Sequence, residues 1–430
     1  MKKRLFIVIS PGLFGTLILT RIIDGSFRLP VQLLAVYLTA WSLFFVYSAR
    51  PFRKKIHVFL LANLSPLFLV GCFELAALVK LLDYRIVFST PVYDPIRNPR
   101  YRYDPELVFI RRPHQHLKGT VSGGTMTWLY QIPSTQLYSY DHRYDQHGFR
   151  NEVDLTSADI AVMGDSFIEG TLVSSPELMT SRLARLQGSV VSNMGQIGYG
   201  PQQELIVLKR YVLPLNPYTV IWAFFEGNDL KNVLEYQRLI RNRVHLSRFH
   251  SFEYRSFTRN ARLALLRLWG IKRNLPSGLS LSGLFSSADG NVVRVYFLYP
   301  GKDLSPNQLK ALAKARNSFA AGYRMCAERG VRMIVIFIPN KFRVYKNACR
   351  FEPQSECSSW VLNDLPGRFK AMISGISDQI GYVDLTPALT GAAMKGSMVH
   401  FGDDEHWSPE GHRIVAEVVN DFIPKDRALN

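Results

Sequence analysis

Residues 159–167 read Asp159-Ile160-Ala161-Val162-Met163-Gly164-Asp165-Ser166-Phe167, a short apolar run that stops at a Gly-Asp turn followed by a serine. An apolar run bounded in this way reads as a buried strand. Four more runs obey the same grammar, Ser189–Asn193, Thr219–Phe225, Arg332–Ile338 and Tyr382–Leu385. Amphipathic stretches such as Gln202–Leu213 and Pro409–Phe422 follow them. Strand and helix in alternation imply an α/β domain, a parallel five-stranded sheet with helices on both faces. Ligands of such sheets bind outside the carboxyl ends of the strands. The polar residues at those ends are therefore the ones to interpret.

Ser166 stands at the first such end. It can present its hydroxyl and its N–H to the same space, or it can simply cap the next helix. It does not belong to a G-x-S-x-G elbow, because Ile168 occupies the place of the second glycine. The second strand ends in Asn193-Met194-Gly195-Gln196-Ile197-Gly198-Tyr199-Gly200, where either Gly195 or Gly198 could bring an N–H to an oxyanion. The third ends in Glu226-Gly227-Asn228-Asp229, and the Asn228 amide could donate to the same oxyanion or form an Asx turn. Near the C-terminus, Asp403-Asp404-Glu405-His406-Trp407-Ser408-Pro409 precedes the last helix. Ser408 suits the N-cap and Pro409 the first helical position. His406 is then a base held beside a rigid helix start, and Asp403 is expected to orient its Nδ1. A neutral serine hydroxyl needs such a base to become a nucleophile.

These residues resemble the SGNH, or GDSL-type, serine hydrolases. The four blocks of that family occur in order: Gly164-Asp165-Ser166, Gly198 within 193–200, Gly227-Asn228-Asp229, and Asp403-x-x-His406. The resemblance covers about residues 155–424. It implies a flavodoxin-like sheet, Ser166 as nucleophile, His406 as base and Asp403 as its partner. It also implies an oxyanion hole from Ser166, Gly198 and Asn228. The implied reaction is acyl transfer, with no cofactor and no metal. His400, Asp403, Asp404, His406 and His412 are dense enough to raise a metal site, but no HExxH or Cys/His spacing accompanies them.

Outward from this domain the composition changes. The 430 residues carry a formal net charge of +18 and 47% hydrophobic residues, with a mean hydropathy of 0.00. Residues 1–83 hold +7 and 231–273 hold +9, while 151–230, the stretch bearing Ser166, Gly198 and Asn228, is −5. Three apolar runs, Leu5–Thr20, Val31–Ser48 and Val58–Val79, are long enough to suggest transmembrane helices, the first only if Arg21 snorkels. Lys2, Lys3 and Arg4, with Arg50, Arg53, Lys54 and Lys55, put the N-terminus and the second loop in the cytoplasm. The catalytic domain is then extracytoplasmic, in the periplasm or outside the cell. Glu74, inside the third run, is expected to protonate or to turn into the bundle.

The resulting organisation is an anchor over 1–83, a β-rich collar over 84–154, and the hydrolase domain over 155–424 with a basic insertion at 231–304. Four cysteines exclude a disulfide-built scaffold, though Cys349 and Cys357 flank a short loop and are candidate partners. Lys341, after the fourth strand, is a candidate contact for an anionic or sugar substrate. The basic stretch 231–273 is expected to touch anionic lipid headgroups rather than nucleic acid, given the location. The expected activity is hydrolysis of an acyl ester, of the O-acetyl kind, on an envelope glycan or lipid. The alternatives are an O-acyltransferase with the same triad and a non-catalytic envelope scaffold.

Overall fold

The computed structural model describes residues 28–88, 100–130, 132, 136–241, 252–274 and 278–424. The chain divides into two units, Met1–Leu82 with Ser256–Thr258, and Asp83–Arg255 with Arg259–Asn430. The first holds helices α1 (Arg28–Tyr47) and α2 (Phe52–Leu78). A 27-residue helix is about 40 Å long, more than a ~30 Å hydrocarbon core requires. An 18-residue window of α2 has a mean hydropathy of 2.0 and no buried residue, so α2 is long and apolar enough to cross a membrane. The expected first span, Leu5–Thr20, lies outside the described residues. Trp41 of α1 packs edge-on against Phe59 of α2, with ring centroids 4.7 Å apart. Glu74 is neither isolated nor free: it accepts from Ser256 Oγ at 2.9 Å, Thr258 N at 2.8 Å and Thr258 Oγ1 at 2.6 Å.

The second unit opens with two antiparallel hairpins. The first pairs β1 (Tyr101–Asp104) with β2 (Val108–Arg111). The second pairs β3 (His116–Ser122) with β4 (Leu137–Arg143), and the short helix α3 (Thr125–Tyr130) lies between its strands. The alternating part follows: β5 (Ile160–Gly164), α4 (Ser166–Glu169), α5 (Met179–Gln187), β6 (Val191–Gly195), α6 (Pro201–Val207), β7 (Thr219–Phe225) and α7 (Asp229–Arg241). Helix α8 (Phe257–Asn274) and strands β8 (Ser282–Ser286) and β9 (Val292–Tyr296) lie within the basic insertion. Residues 242–251 of that insertion are outside the described ones. The domain closes with α9 (Pro306–Ala327), β10 (Arg332–Ile338), α10 (Lys341–Tyr345), β11 (Cys349–Arg350), α11 (Leu365–Ser374), β12 (Gly381–Asp384), α12 (Thr386–Met394) and α13 (Pro409–Phe422).

The central sheet is parallel, in the order β12-β10-β7-β5-β6. Two of the five strands have the bounds read from sequence, and the other three are displaced by one or two residues. Side chains alternate between the two faces of a strand. Val220, Trp222 and Phe224 of β7 accordingly enter one core while Ile221, Ala223 and Phe225 enter the other. Strand β10 divides the same way, Met333, Val335 and Phe337 against Ile334, Ile336 and Ile338. Burial on both faces is why these runs are apolar throughout rather than alternating. Helices α6, α9 and α11 cover the first face, and α5, α12 and α13 the second. This is an SGNH-like α/β arrangement. Helix α6 does not run regularly to Leu213. It widens over Leu208–Val212 and tightens over Leu213–Leu215, where Pro214 lacks the N–H to continue. A small antiparallel sheet, β11-β8-β9, packs beside the central one. Cys349 and Cys357, the candidate disulfide partners, are both free thiols.

Candidate active site

At the end of β5 the chain turns through Asp165. This residue, not Ser166, is the helix cap: its carboxylate accepts from Phe167 N at 3.0 Å. The serine hydroxyl is thereby released from the structural duty that its position allowed. Ser166 is only 5% exposed, and its Oγ lies 2.7 Å from His406 Nε2. His406 comes from the far end of the chain, in the loop before α13. That loop is closed by the His400–Trp407 bridge on one side and by Ser408 on the other. Ser408 caps α13, accepting from Gly411 N at 3.2 Å, and Pro409 takes the first helical position.

The carboxylate on His406 is Asp404, not Asp403. His406 Nδ1 is 2.5 Å from Asp404 Oδ1, and the same oxygen accepts the His406 backbone N–H at 2.9 Å. That local turn folds the Asp404 side chain back over the imidazole, so an acid two residues before the histidine reaches it. Asp403 points the other way. It accepts from Gly124 N at 2.9 Å, Thr127 Oγ1 at 2.9 Å and Tyr138 Oη at 2.6 Å.

Electrostatics follow from this geometry. Burial opposes ionisation of Asp404, but the His406 charge and hydrogen bonds from His406 and Thr125 outweigh it and hold the carboxyl well below its usual range. Burial likewise opposes protonation of His406, and the Asp404 charge and hydrogen bond overcome it, raising the imidazole above its ordinary value. At neutral pH the arrangement therefore contains a fixed anion, a basic imidazole and a hydroxyl in one line.

Ser166, Gly198, Asn228 and His406 line one cavity of about 340 Å³. The structure separates the two candidate glycines. Gly195 donates its N–H to Asn193 Oδ1 at 3.0 Å, and a Cβ there would collide with Glu169 and Ile168 of the nucleophile helix. Gly195 is thus a packing glycine. Gly198 sits at φ +76, which glycine adopts without strain, and faces the cavity. The side-chain oxygen of Asn228 is buried with no partner among the described residues. No Asx turn claims it.

Lys341 is not a substrate contact. It is fully buried, and its Nζ donates to the carbonyls of Phe401 at 2.6 Å, Gly402 at 2.9 Å and Asp404 at 2.8 Å. All three ammonium donors are spent on the loop that carries Asp404 and His406. The reason is its place on the first turn of α10, directly beneath that loop. Two residues on, Arg343 pairs with Glu226 at 2.5 Å, next to the Gly227-Asn228 turn. Helix α10 thus ties down both the His406 loop and the Asn228 turn. The dense histidine and acid cluster also disperses: His412 accepts from Met179 N at 3.1 Å, and His400 is buried beside Phe167 and Tyr345.

Sequence reasoning missed two further groups. Glu169, fully buried, accepts from Arg111 at 2.5 Å, Tyr144 Oη at 3.0 Å and Ile197 N at 2.6 Å. It connects β2, the nucleophile helix and the Gly198 loop. The second group is a set of buried carboxyls, Asp165, Glu204 and Asp229. Burial pushes Asp165 to about 6 and Glu204 to about 8, and drives Asp229 well upward. Trp222 Nε1 donates to Glu204 at 2.7 Å and Phe225 N to Asp229 at 2.8 Å. An acid directly after an apolar strand or inside an apolar helix face was the available signal.

Residues 295–430 match the family model described as an SGNH hydrolase-like domain, acetyltransferase AlgX. No curated protein matches the chain. Among solved structures, a lipolytic-type protein of the G-D-S-L family from Desulfitobacterium hafniense DCB-2 is 12% identical. It covers 61% of this chain and 98% of its own, with a TM-score of 0.34. A GDSL-like lipase from Bacteroides thetaiotaomicron VPI-5482 is 12% identical over 61% and 85% of the two chains, with a TM-score of 0.30. A carbohydrate esterase family 2 enzyme from Corynascus thermopiles is 11% identical over 67% and 70%, with a TM-score of 0.32.

Proposed function

We propose, from the premise that the chain belongs to the SGNH (GDSL-type) hydrolase-like family, that it is a membrane-anchored acyl-ester enzyme whose triad is Ser166, His406 and Asp404. The observation that carries this reading is the continuous line from Ser166 Oγ through His406 to Asp404, at 2.7 and 2.5 Å. Substrate enters the cavity with its ester carbonyl against Ser166. As Oγ bonds to the carbonyl carbon, His406 Nε2 takes the hydroxyl proton, and Asp404 stabilises the imidazolium. The oxyanion is met by the Ser166 and Gly198 N–H groups and the Asn228 amide. When the C–O bond breaks, His406 returns the proton to the leaving alcohol and the acyl group remains on Ser166. A second hydroxyl, deprotonated by the same imidazole, then removes it.

The acyl group is of the O-acetyl kind and its carrier an envelope glycan or lipid. A cavity of about 340 Å³ supports a small acyl group with one sugar ring, being near the lower end of ligand pockets. The basic flanks of the apolar runs support a catalytic domain outside the cytoplasm, tethered through α2, with the basic stretch 231–273 near anionic headgroups. In the first reading the final acceptor is water. The description of the matching family model as an acetyltransferase favours a second, in which it is a glycan hydroxyl.

The test is labelling by a fluorophosphonate, followed by acetyl-ester turnover with and without a sugar acceptor. The native protein should label and Ser166→Ala should not. Release of acetate alone indicates hydrolysis, whereas acetylated sugar formed at the expense of acetate indicates transfer. Undiminished labelling of Ser166→Ala would overturn the assignment.

A further inference from the structure

The collar hairpin β3–β4 reaches the base loop at an unusual point. Between β3 and α3 the chain reads Ser122-Gly123-Gly124-Thr125. Gly123 adopts φ +72, and its N–H donates to the carbonyl of Gln136 at 2.8 Å, which closes the end of the hairpin. Gly124 then lies against the backbone of the acid pair. A Cβ on it would stand 2.5 Å from the Asp403 carbonyl oxygen and 2.6 Å from Asp404 Cβ, so only glycine permits this approach. Through that contact pass three bonds besides the Asp403 contacts to Tyr138 and Thr127. Thr125 N donates to Asp404 Oδ2 at 2.7 Å, Gly124 N to Asp403 Oδ2 at 2.9 Å, and Met126 N to the Asp403 carbonyl at 3.0 Å. On the far side of the same loop, Asp404 Oδ1 holds His406.

Asp404 is consequently divided between two partners. One oxygen faces the imidazole and the other accepts an N–H from the collar. Asp403 supplies the attachment, with both oxygens occupied by collar donors. Gly123, Gly124 and Thr125 also line the cavity that holds Ser166. The matched family segment begins at residue 295, so this turn belongs to a part of the chain that the family resemblance does not cover.

We propose that the Gly123-Gly124-Thr125 turn, with Asp403, Tyr138 and Thr127, is the positioning device for the Asp404–His406 pair, so that the collar is an integral part of the active site. The inference rests on the triad reading above. A carboxylate free to rotate would offer the imidazole either oxygen at varying distance. One whose second oxygen is held by a backbone N–H cannot, and the tautomer with Nδ1 protonated is fixed. Asp403 does not touch the reacting atoms. It transmits the position of the hairpin to its neighbour.

Two single-atom-scale changes test this without adding bulk, Tyr138→Phe and Thr127→Val, singly and together, in the full-length protein. The double variant should lower kcat by about tenfold while KM stays within twofold. The pH midpoint of fluorophosphonate labelling should move downward, because a looser Asp404 supports the imidazolium less. Thr127→Ser should behave as the native protein. Gly124→Ala should lose more than either, and if it does not fold the hydroxyl deletions still decide. A lowered Tm in the double variant with kcat and the pH midpoint unchanged would reduce the collar to a structural prop and overturn the proposal. Failure of the triad itself is distinguishable: it appears as persistent labelling of Ser166→Ala, whatever the collar variants do.

Discussion

The Ser166 turn at residues 164–169 and the His406 loop at 400–407 reach the same cavity by different means. The first takes its shape from bonds between sequence neighbours, and distant groups such as Arg111, Tyr144 and Asn193 tie its far end, Ile168 and Glu169, into the fold. Strand β5 delivers it, Asp165 caps α4, and Gly170 N closes the helix on the Ser166 carbonyl at 2.9 Å. The base loop has little regular structure of its own. It is suspended from Lys341 on one side and Gly124, Thr127 and Tyr138 on the other, with Leu298 N donating to Glu405. Local hydrogen bonds can be read from a short motif, whereas a loop positioned by distant side chains can point either of two adjacent acids at its histidine.

Neutralising each of the two acids in turn separates their contributions. Asp404→Asn should cost about four orders of magnitude in kcat, the loss expected when the base is left in the wrong tautomer. Asp403→Asn should cost about ten- to a hundredfold, since it acts only through position. Equal losses, or the reverse order, would restore the spacing of three. The pH profile adds a sign. Activity requires neutral His406, whose pKa is raised, so the acidic limb should have its midpoint above the ordinary ~6.5 and Asp404→Asn should lower it.

Asn228→Ala probes the sequence-local side. Removing one oxyanion donor should lower turnover by about a hundredfold or more, with labelling of Ser166 slowed rather than abolished. Full turnover would remove Asn228 from the hole. Lys341→Met probes the distant support. Three buried carbonyls lose a charged donor, and unfolding of the detergent-solubilised protein should become easier by about 3 kcal/mol. An unchanged Tm would mean that the base loop does not depend on α10.

A pH-dependent effect concerns the buried acids Asp165, Glu204 and Asp229. Glu204 titrates near 8 in the folded chain and near 4.5 once unfolded, so between those values the native state holds the extra proton. Its contribution to stability therefore falls as pH rises from about 5 to 9. Glu204→Gln keeps an acceptor for Trp222 Nε1 and removes the titration. Its Tm should decline less than that of the native protein over this range, and parallel curves would sink the assignment.

Much of the fold was legible because burial on both faces of a parallel sheet demands unbroken apolar runs, and turn residues end them sharply. Thr219–Phe225 and Arg332–Ile338 carry that signature in full. That Ser166, Gly198, Asn228 and His406 would meet at one cavity was legible as well, since each follows a strand or precedes a helix in a short motif. Asp403 was misread and Lys341 taken for a substrate contact because neither position is marked locally. A lysine after a strand looks the same whether it meets solvent or three carbonyls sixty residues away.

Patterns within a few residues of one another thus determined the sheet, the strand ends that meet the cavity and the apolar N-terminal helix. The tertiary structure alone decided which aspartate bonds to the histidine, which glycine faces the cavity, and that the turn after β3 bonds to the acid pair. Those outcomes depend on contacts between segments as far apart as Gly124 and Asp403, where a difference of one residue in a loop reverses the direction of a side chain.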